Sequence, residues 1–451
     1  MLNKFANDLD AFIPEIWAQE SLMVLEANSV MANLVYRNFS PEIQKFGDVV
    51  NTRRPGTFTM NRKGAVGDVV PEDATAENVP IALNQHLYES FLIQDGEESK
   101  GFKVLRDEYL VPALQSIANG LDRILLSQMY QFLGNTVGKL GTTPTRALVI
   151  DAREKLNNQL APFQNRHLII GSNTEADLLN IDDFVQADKL GDAGTAMREG
   201  SLGRKFGFDI WMTQHAPVIA AGNTVTLSAV NLSAGYAIGS TVLACDAFSP
   251  DPVAGEWCTV EGDMTPQFIT AYDASDNTIT ISPGLVYAVD NDAVITVYSC
   301  GECNETDDYV AGYQESLAIS GFSVVPRIGQ LISTGTTLSG RDIYGKIDAA
   351  SLTALMLDRP LDRAMADDDL IGIGPAGNYN FAFHPNAIAL VSRPLAMPAP
   401  GLVLSSVVNY KGLGIRVVIS YDAKAQGHLV TVDLLCGVKV LDTNLGAVVL
   451  A

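Results

Sequence analysis

From Phe206 to Pro326 the chain has no lysine and no arginine, yet this stretch of 121 residues holds 15 aspartates and glutamates. It carries −15 of the formal net charge of −22, leaving −7 for the other 330 residues. Such a block repels phosphate and does not read nucleic acid. Charge is scarce overall as well. Charged residues are 18% of the 451, against roughly 25% in typical soluble domains. A low charge fraction accompanies either a membrane or extensive contact with other protein. No run approaches the roughly 20 apolar residues of a spanning helix. The N-terminus "MLNKFANDLDAFIPEIW" carries Asp8 and Asp10 where a signal peptide would be apolar. The missing charge therefore points to surface buried against other protein.

Cysteine is sparse too. Of five, Cys245, Cys258, Cys300 and Cys303 lie in the acidic block. Without an export signal they are expected as reduced thiols of a cytoplasmic product. "CGEC" at 300–303 has zinc-site spacing, but a site would need Cys245 and Cys258, thirteen positions apart, to converge on it. A disulfide formed in air is the other alternative. Histidines 86, 167, 215, 384 and 428 never fall at the i,i+4 spacing of a helical metal pair, and no G-x-S-x-G elbow occurs. "GRDIYGKI" at 340–347 imitates a phosphate loop, but Ile347 stands where the magnesium-binding Ser or Thr belongs, so a Gly-bounded helix start is expected. "ADDDL" at 366–370 reads as a solvated helix end rather than a cation site. No catalytic group, cofactor or metal is expected, and the chain does not read as an enzyme.

What is present is an arm. In "VVNTRRPGTFTMNRKGAVGDVVPEDATAENVP", residues 49–80, Arg53, Arg54, Arg62 and Lys63 come with no acid between Asp48 and Asp68. Asp68, Glu72, Asp73 and Glu77 then follow with no base, and Gly and Pro punctuate a stretch that offers little to a core. The flanks alternate or run apolar like strands, which makes the arm a long two-stranded excursion.

Before it, residues 13–39 show loose helical periodicity. After it, residues 99–133 give the strongest helical signal, with Leu114, Ile117, Leu121, Ile124, Leu125 and Phe132 on one face. Pro112 marks where the main helix, about 30 Å long, sets off. "RHLIIGSNTEADLLNIDDFV" reads as strand, turn and helix, and "SLGRKFGFDIWMTQHAP" as a Gly-rich bend into a strand. From Gly222 to Ser299 come six short Thr/Val-rich runs: "NTVTLSA", "STVLACDA", "EWCTVEG", "QFITAYD", "NTITIS" and "DAVITVYS". They predict a small antiparallel barrel or sandwich, compositionally isolated enough to be removable. Helical signals return in "IDAASLTALMLDRPLDRAM".

This order of parts resembles the major capsid (coat) protein of tailed double-stranded-DNA bacteriophages, of the podovirus coat type. "FAFHPNAIALVSRPLAMP" (381–398) and "GIRVVISYDAKAQGHLVTVDLLCGVKVL" (414–441) look like that family's closing segments. The resemblance implies an α+β capsid fold with an inserted small antiparallel β-barrel. Its parts would be an N-terminal arm (1–48), an extended loop (49–95) and a spine helix with peripheral domain (96–145). An axial domain (146–221 and 301–415), the inserted barrel (222–300) and closing strands (416–451) would follow. It also implies hexamers and pentamers of the chain itself, and scaffolding protein and portal during assembly. Double-stranded DNA would be enclosed without specific binding, in a virion assembled in the host cytoplasm. The extended loop would lie on a neighbouring subunit, making Arg53, Arg54, Arg62, Lys63, Asp68, Glu72 and Asp73 inter-subunit contacts. Alternatives are an encapsulin-like compartment shell and a carbohydrate-binding β-protein with Trp257, Tyr272 and Tyr287 as its platform.

Overall fold

The strongest helical periodicity of the sequence becomes the axis of the main core. Val111–Ser127 is an α-helix whose Leu114, Ile117, Ala118, Leu121 and Leu125 are buried on one side. Pro112 sits in its first turn, where a missing N–H costs nothing. A π-helical turn, Arg106–Leu110, leads in and a 3-10 segment, Gln128–Asn135, leads out. At 1.5 Å per residue the α-helical part spans about 26 Å. The computed structural model describes residues 29–37, 49–54, 77–83, 85–94, 106–185, 202–216, 218–219, 224–298, 300–304, 316–322, 331–334, 342–350, 353–357, 364–398, 404–410 and 413–451, with positions 17, 20, 21, 23, 25, 60, 62, 63 and 200.

Against this helix lies an antiparallel sheet whose hub is the 14-residue strand Gly427–Val440. Gln85–Gln94 pairs along one edge; Leu413–Asp422 and then Ile388–Arg393 pair along the other, and Leu404–Tyr410 extends the sheet beyond Leu413–Asp422. Alternation decides the faces. Ile93, Val430, Val432, Leu434, Ile415, Val417 and Ile419 point to the helix and are buried with it. The N-terminal segment adds Trp17, Leu25, Met31 and Ala32 to the same core, all fully buried.

A second sheet of seven strands runs in the order Thr136–Gly138, Gly446–Leu450, Gly377–Phe383, Arg166–Ile170, Phe208–Met212, Arg204–Lys205, with Val218–Ile219 also on Gly377–Phe383. One face, through Ile169, Phe381, Phe383, Val448 and Leu450, belongs to the main core. The other, through Leu168, Ile170, Phe208, Ala382 and Val449, packs Val149, Ala152 and Leu156 of helix Arg146–Asn158 and Leu178 of helix Ser172–Leu179. The expected strand–turn–helix at 166–185 and the bend into Phe208–Met212 are both present, with Gly207 at φ 89° in the bend.

The chain leaves this sheet after Ile219 and returns at Gly377. All six Thr/Val runs are strands, ordered Val242–Ala244, Thr278–Ser282, Gln267–Asp273, Trp257–Val260, Val294–Tyr298, Thr224–Ala229. The expected barrel over 222–300, however, does not close. Its outer strands share no ladder and meet through the isolated bridge Val230–Cys245 and the hydrogen bonds of Ser228 and Asn231 to Asp246. A ring that does close lies in the following segment, formed by Cys300–Cys303, Ser316–Ser320, Ala354–Leu357, Asp342–Ala350, Leu331–Thr334 and Leu370–Ile373. Over the described residues this also corrects the helical readings at 340–347 and 347–365, since Asp342–Ala350 and Ala354–Leu357 are strands. Ala, Leu and Met favour helices in isolation, but Leu355 and Leu357 alternate inward into the ring's own core, and burial overrides propensity. "ADDDL" is a turn into the strand Leu370–Ile373, with Asp368 at φ 64° and the Ala366 amide donating to Asp369 Oδ2.

Nor is the acidic module separate from the body. Its inner face has its own core around Leu243, Val260, Ile269, Ile281 and Ile295. Trp257 and Phe268, with ring centroids 3.7 Å apart, belong to the main core instead. Leu140 N donates to Met264 O, Gly138 N to the Tyr287 hydroxyl, and Lys139 reaches the Gly262 carbonyl from over the Tyr287 ring.

Candidate assembly surface

The arm has a fastened root. Val49–Arg54 and Glu77–Ala82 pair antiparallel, with Arg53 opposite Asn78 and Arg54 opposite Glu77. Gln85–Gln94 continues not as part of this ribbon but as a strand of the helix-backed sheet. On one side of the ribbon Val50 and Ile81, with Leu83 just beyond, are buried on Ala389 and Val391 of that sheet's outer face. A Cβ at Gly437 would collide with the Ala82 carbonyl, so this root can approach only over glycine. Asn78 Nδ2 donates to Asn51 Oδ1 across the ribbon at 3.1 Å. Beyond the root, Met60 is 80% exposed and Arg62 and Lys63 are exposed. Asp68, Glu72 and Asp73 lie outside the described residues, so the returning acidic branch is not placed.

Beside the ribbon root, the outer face of the sheet holds a charge pair that sequence reading missed. Asp433, 3% exposed, accepts from Arg416 Nε at 3.1 Å on each carboxylate oxygen; His86 Nε2 lies 3.9 Å away. The same guanidinium donates through Nη1 to the Ala396 carbonyl. The register places Arg416 opposite Asp433, and only the hairpin pairing reveals it. Asp122 was missed as well. It is a lone acid within an apolar helical run, 2% exposed, and that pattern was the available signal.

In the acidic module Asp246, Asp251, Glu261, Asp273, Asp276, Asp290 and Asp292 are exposed. Asp263 is fully buried, accepting from Thr265 Oγ1 and Gln267 Nε2 at 2.6 Å and from the Tyr287 amide at 2.7 Å. Burial raises its pKa against these hydrogen bonds, and raises that of Glu256 against the bond from the Val253 amide.

Burial lifts the Cys245 thiol to about 11 and Cys436 to about 12, and raises Cys258 further, which removes thiolate character. Cys245 and Cys258 lie in the core of the acidic module and Cys303 in that of the ring, so these three described thiols do not converge on one site. Among the described residues no group of three or more His, Cys, Asp or Glu could hold a metal, and no helix is long and apolar enough to cross a membrane. The proposed aromatic platform is not assembled. Trp257 is buried, Tyr272 packs edge-on against Phe248, and the half-buried Tyr287 is held by Gly138 and Lys139.

No family model matches the chain, and no curated protein matches it. Among solved structures, one of Mycobacterium phage Che8 aligns over 93% of this chain and 90% of its own, at 13% identity and a TM-score of 0.40. The capsid of Cyanophage P-SCSP1u aligns over 93% and 87%, at 12% identity and 0.41. The mature capsid of bacteriophage PhiM1 aligns over 93% and 86%, at 9% identity and 0.40. These are distant likenesses that extend over nearly the whole chain.

Proposed function

We propose that this chain builds the icosahedral shell of a tailed double-stranded-DNA bacteriophage, as its major capsid protein, and works without catalysis. The observation that carries this reading is the ribbon. Val50, Ile81 and Leu83 fasten its root to the chain's own sheet, while Met60, Arg62 and Lys63 beyond it stand exposed. A fastened root with exposed side chains beyond it suits a segment whose remaining surface is met by another subunit. The order of parts agrees with the capsid resemblance of the sequence: N-terminal segment, ribbon, spine helix, strand-rich domain with an insertion, and closing strands.

On this reading the extended loop expected at 49–95 is the ribbon and the residues between its strands, and Gln85–Gln94 returns it to the body. Arg53, Arg54, Arg62 and Lys63 on the outgoing branch, and Asp68, Glu72 and Asp73 on the returning one, orient it on a neighbour, since charge complementarity sets register. Copies form hexamers and pentamers, with scaffolding protein and portal joining during assembly in the host cytoplasm. The shell encloses double-stranded DNA without specific binding, and the acidic segment, with about two-thirds of the net charge, repels phosphate. An encapsulin-like shell would share the assembly but not the nucleic acid inside. Sedimentation velocity of the purified protein tests the proposal: megadalton particles are expected, and a sole species near the 48.3 kDa of one chain would overturn it.

A further inference from the structure

Helix Arg146–Asn158 runs into a loop that holds two apolar side chains out in solvent. Leu160 is 90% exposed and Phe163 71%. Leu160 stands at φ 59°, a left-handed backbone conformation that leucine rarely takes. Arg166, the first residue of the strand Arg166–Ile170, holds the loop in place. Its buried guanidinium donates through Nε to the Pro162 carbonyl and through Nη2 to the Ala161 carbonyl, each at 2.7 Å. Through Nη1 it donates to Asn157 Oδ1 at 2.8 Å, and its Cζ lies 5.2 Å from the centre of the Phe163 ring. A buried cation tied to the loop's own acceptors fixes the backbone that presents Leu160 and Phe163. Strain maintained by its surroundings in this way accompanies sites of recognition.

Charge and topology say what covers this knuckle. Arg153 Nη1 donates to the Phe206 carbonyl, which sets Arg153 close to Arg204 and Lys205 at the end of the seven-stranded sheet where Arg166 and Phe208 begin their strands. The acids here are Asp209, 3.7 Å from Arg204, and Glu154. Arg204–Lys205 is one outer strand of that sheet. Thr136–Gly138, to which the acidic module is hydrogen-bonded, is the other. The sheet thus has bases at one edge and, at the other, a module that contains none. On the module Leu227 and Val294 are exposed on a shared face. Asp292 precedes Val294 by two residues, and Glu261 Oε2 accepts from the Val294 amide. Among the described residues no ion pair involves the module's exposed acids.

We propose that the Leu160–Phe163 knuckle of one copy docks on the acidic module of a second copy. Its leucine and phenylalanine meet Leu227 and Val294, and Arg153, Arg204 and Lys205 face Glu261 and Asp292. The inference rests on the shell reading and adds a contact separate from that of the arm. Opposite edges meeting head to tail make a heterologous interface, the kind that closes rings, and complementary charge fixes which way round they meet. Side chains on a loop already held in one conformation lose little freedom on binding.

Zero-length carbodiimide coupling of an equal mixture of unlabelled and heavy-nitrogen-labelled full-length protein tests this contact, because products that join the two labels form only between subunits. Mixed-label links from Lys155 or Lys205 to acids within 246–292 are expected. Leu160→Asn with Phe163→Ser should lower their yield about tenfold, as loss of an interface anchor does, and leave the denaturation midpoint at the wild-type value, since asparagine accepts the left-handed backbone. Particles that form with mixed-label links elsewhere and none of these would overturn the contact and leave the shell reading standing. An undiminished yield in the variant would do the same. Protein that stays near the 48.3 kDa of one chain would overturn both. Should the variant fold poorly, the wild-type map of links decides alone.

Discussion

Arg416 and Asp433 show at the level of single residues why contacts between distant segments escape a linear reading. Seventeen positions apart, they meet because Leu413–Asp422 and Gly427–Val440 form a hairpin ladder. Removing one member of a buried pair strands the other, a loss of about 3–5 kcal/mol. Asp433→Ala should therefore lower chemical stability by about 3 kcal/mol in a denaturant titration, whereas Arg416→Met combined with Asp433→Leu should come close to wild type. Charge alone singles out the arm's basic residues, but not where along the ribbon each one sits. Arg53 and Arg54 lie in the paired root of the ribbon, so changing them would confuse folding with assembly. Arg62 and Lys63 are the cleaner sites. Arg62→Glu with Lys63→Glu should move the subunit's stability by no more than about 0.5 kcal/mol and still reduce particle yield, read by light scattering. A matching loss of subunit stability would place these residues in an intramolecular contact.

Among the elements, the helix Val111–Ser127, the strand–turn–helix at 166–185 and all six strands of the acidic module could be read in advance. Each has a periodicity that its burial preserves, such as Leu114, Ile117, Leu121 and Leu125 along the helix. Two things were not readable. The ring at 300–373 uses Ala, Leu and Met in strands, where local preference points to helix and only packing decides. The other is the closure of the acidic module, whose outer strands share no ladder. The module's independence also fails on particular residues, since Trp257 and Phe268 face the body. Trp257→Ala should cost about 3–5 kcal/mol, as large-to-small core changes do. It should shift one unfolding transition seen alike by far-UV circular dichroism and fluorescence. If the acidic module alone melted earlier and the body kept its midpoint, the shared core would be refuted. For the same reason, excising 222–300 with a short bridge should leave poorly soluble protein rather than the intact body that composition alone suggested.

For the whole molecule, charge and assembly are linked. With 30 basic residues against 52 acidic ones, the chain has few means of neutralising phosphate, and each such contact adds a salt-sensitive increment to affinity. Fluorescence anisotropy with a labelled duplex at about 150 mM salt should show negligible binding by the subunit; submicromolar affinity would make the basic arm a DNA contact. The central claim is that copies of this chain close into a shell, each with its arm across a neighbour. Cryo-electron microscopy of the purified protein tests it most directly. The account predicts closed icosahedral particles in which residues 55–76 of one subunit lie on the next, with Arg62 and Lys63 in the contact. Single subunits, open aggregates, or closed particles whose arms fold back on their own chain would contradict it.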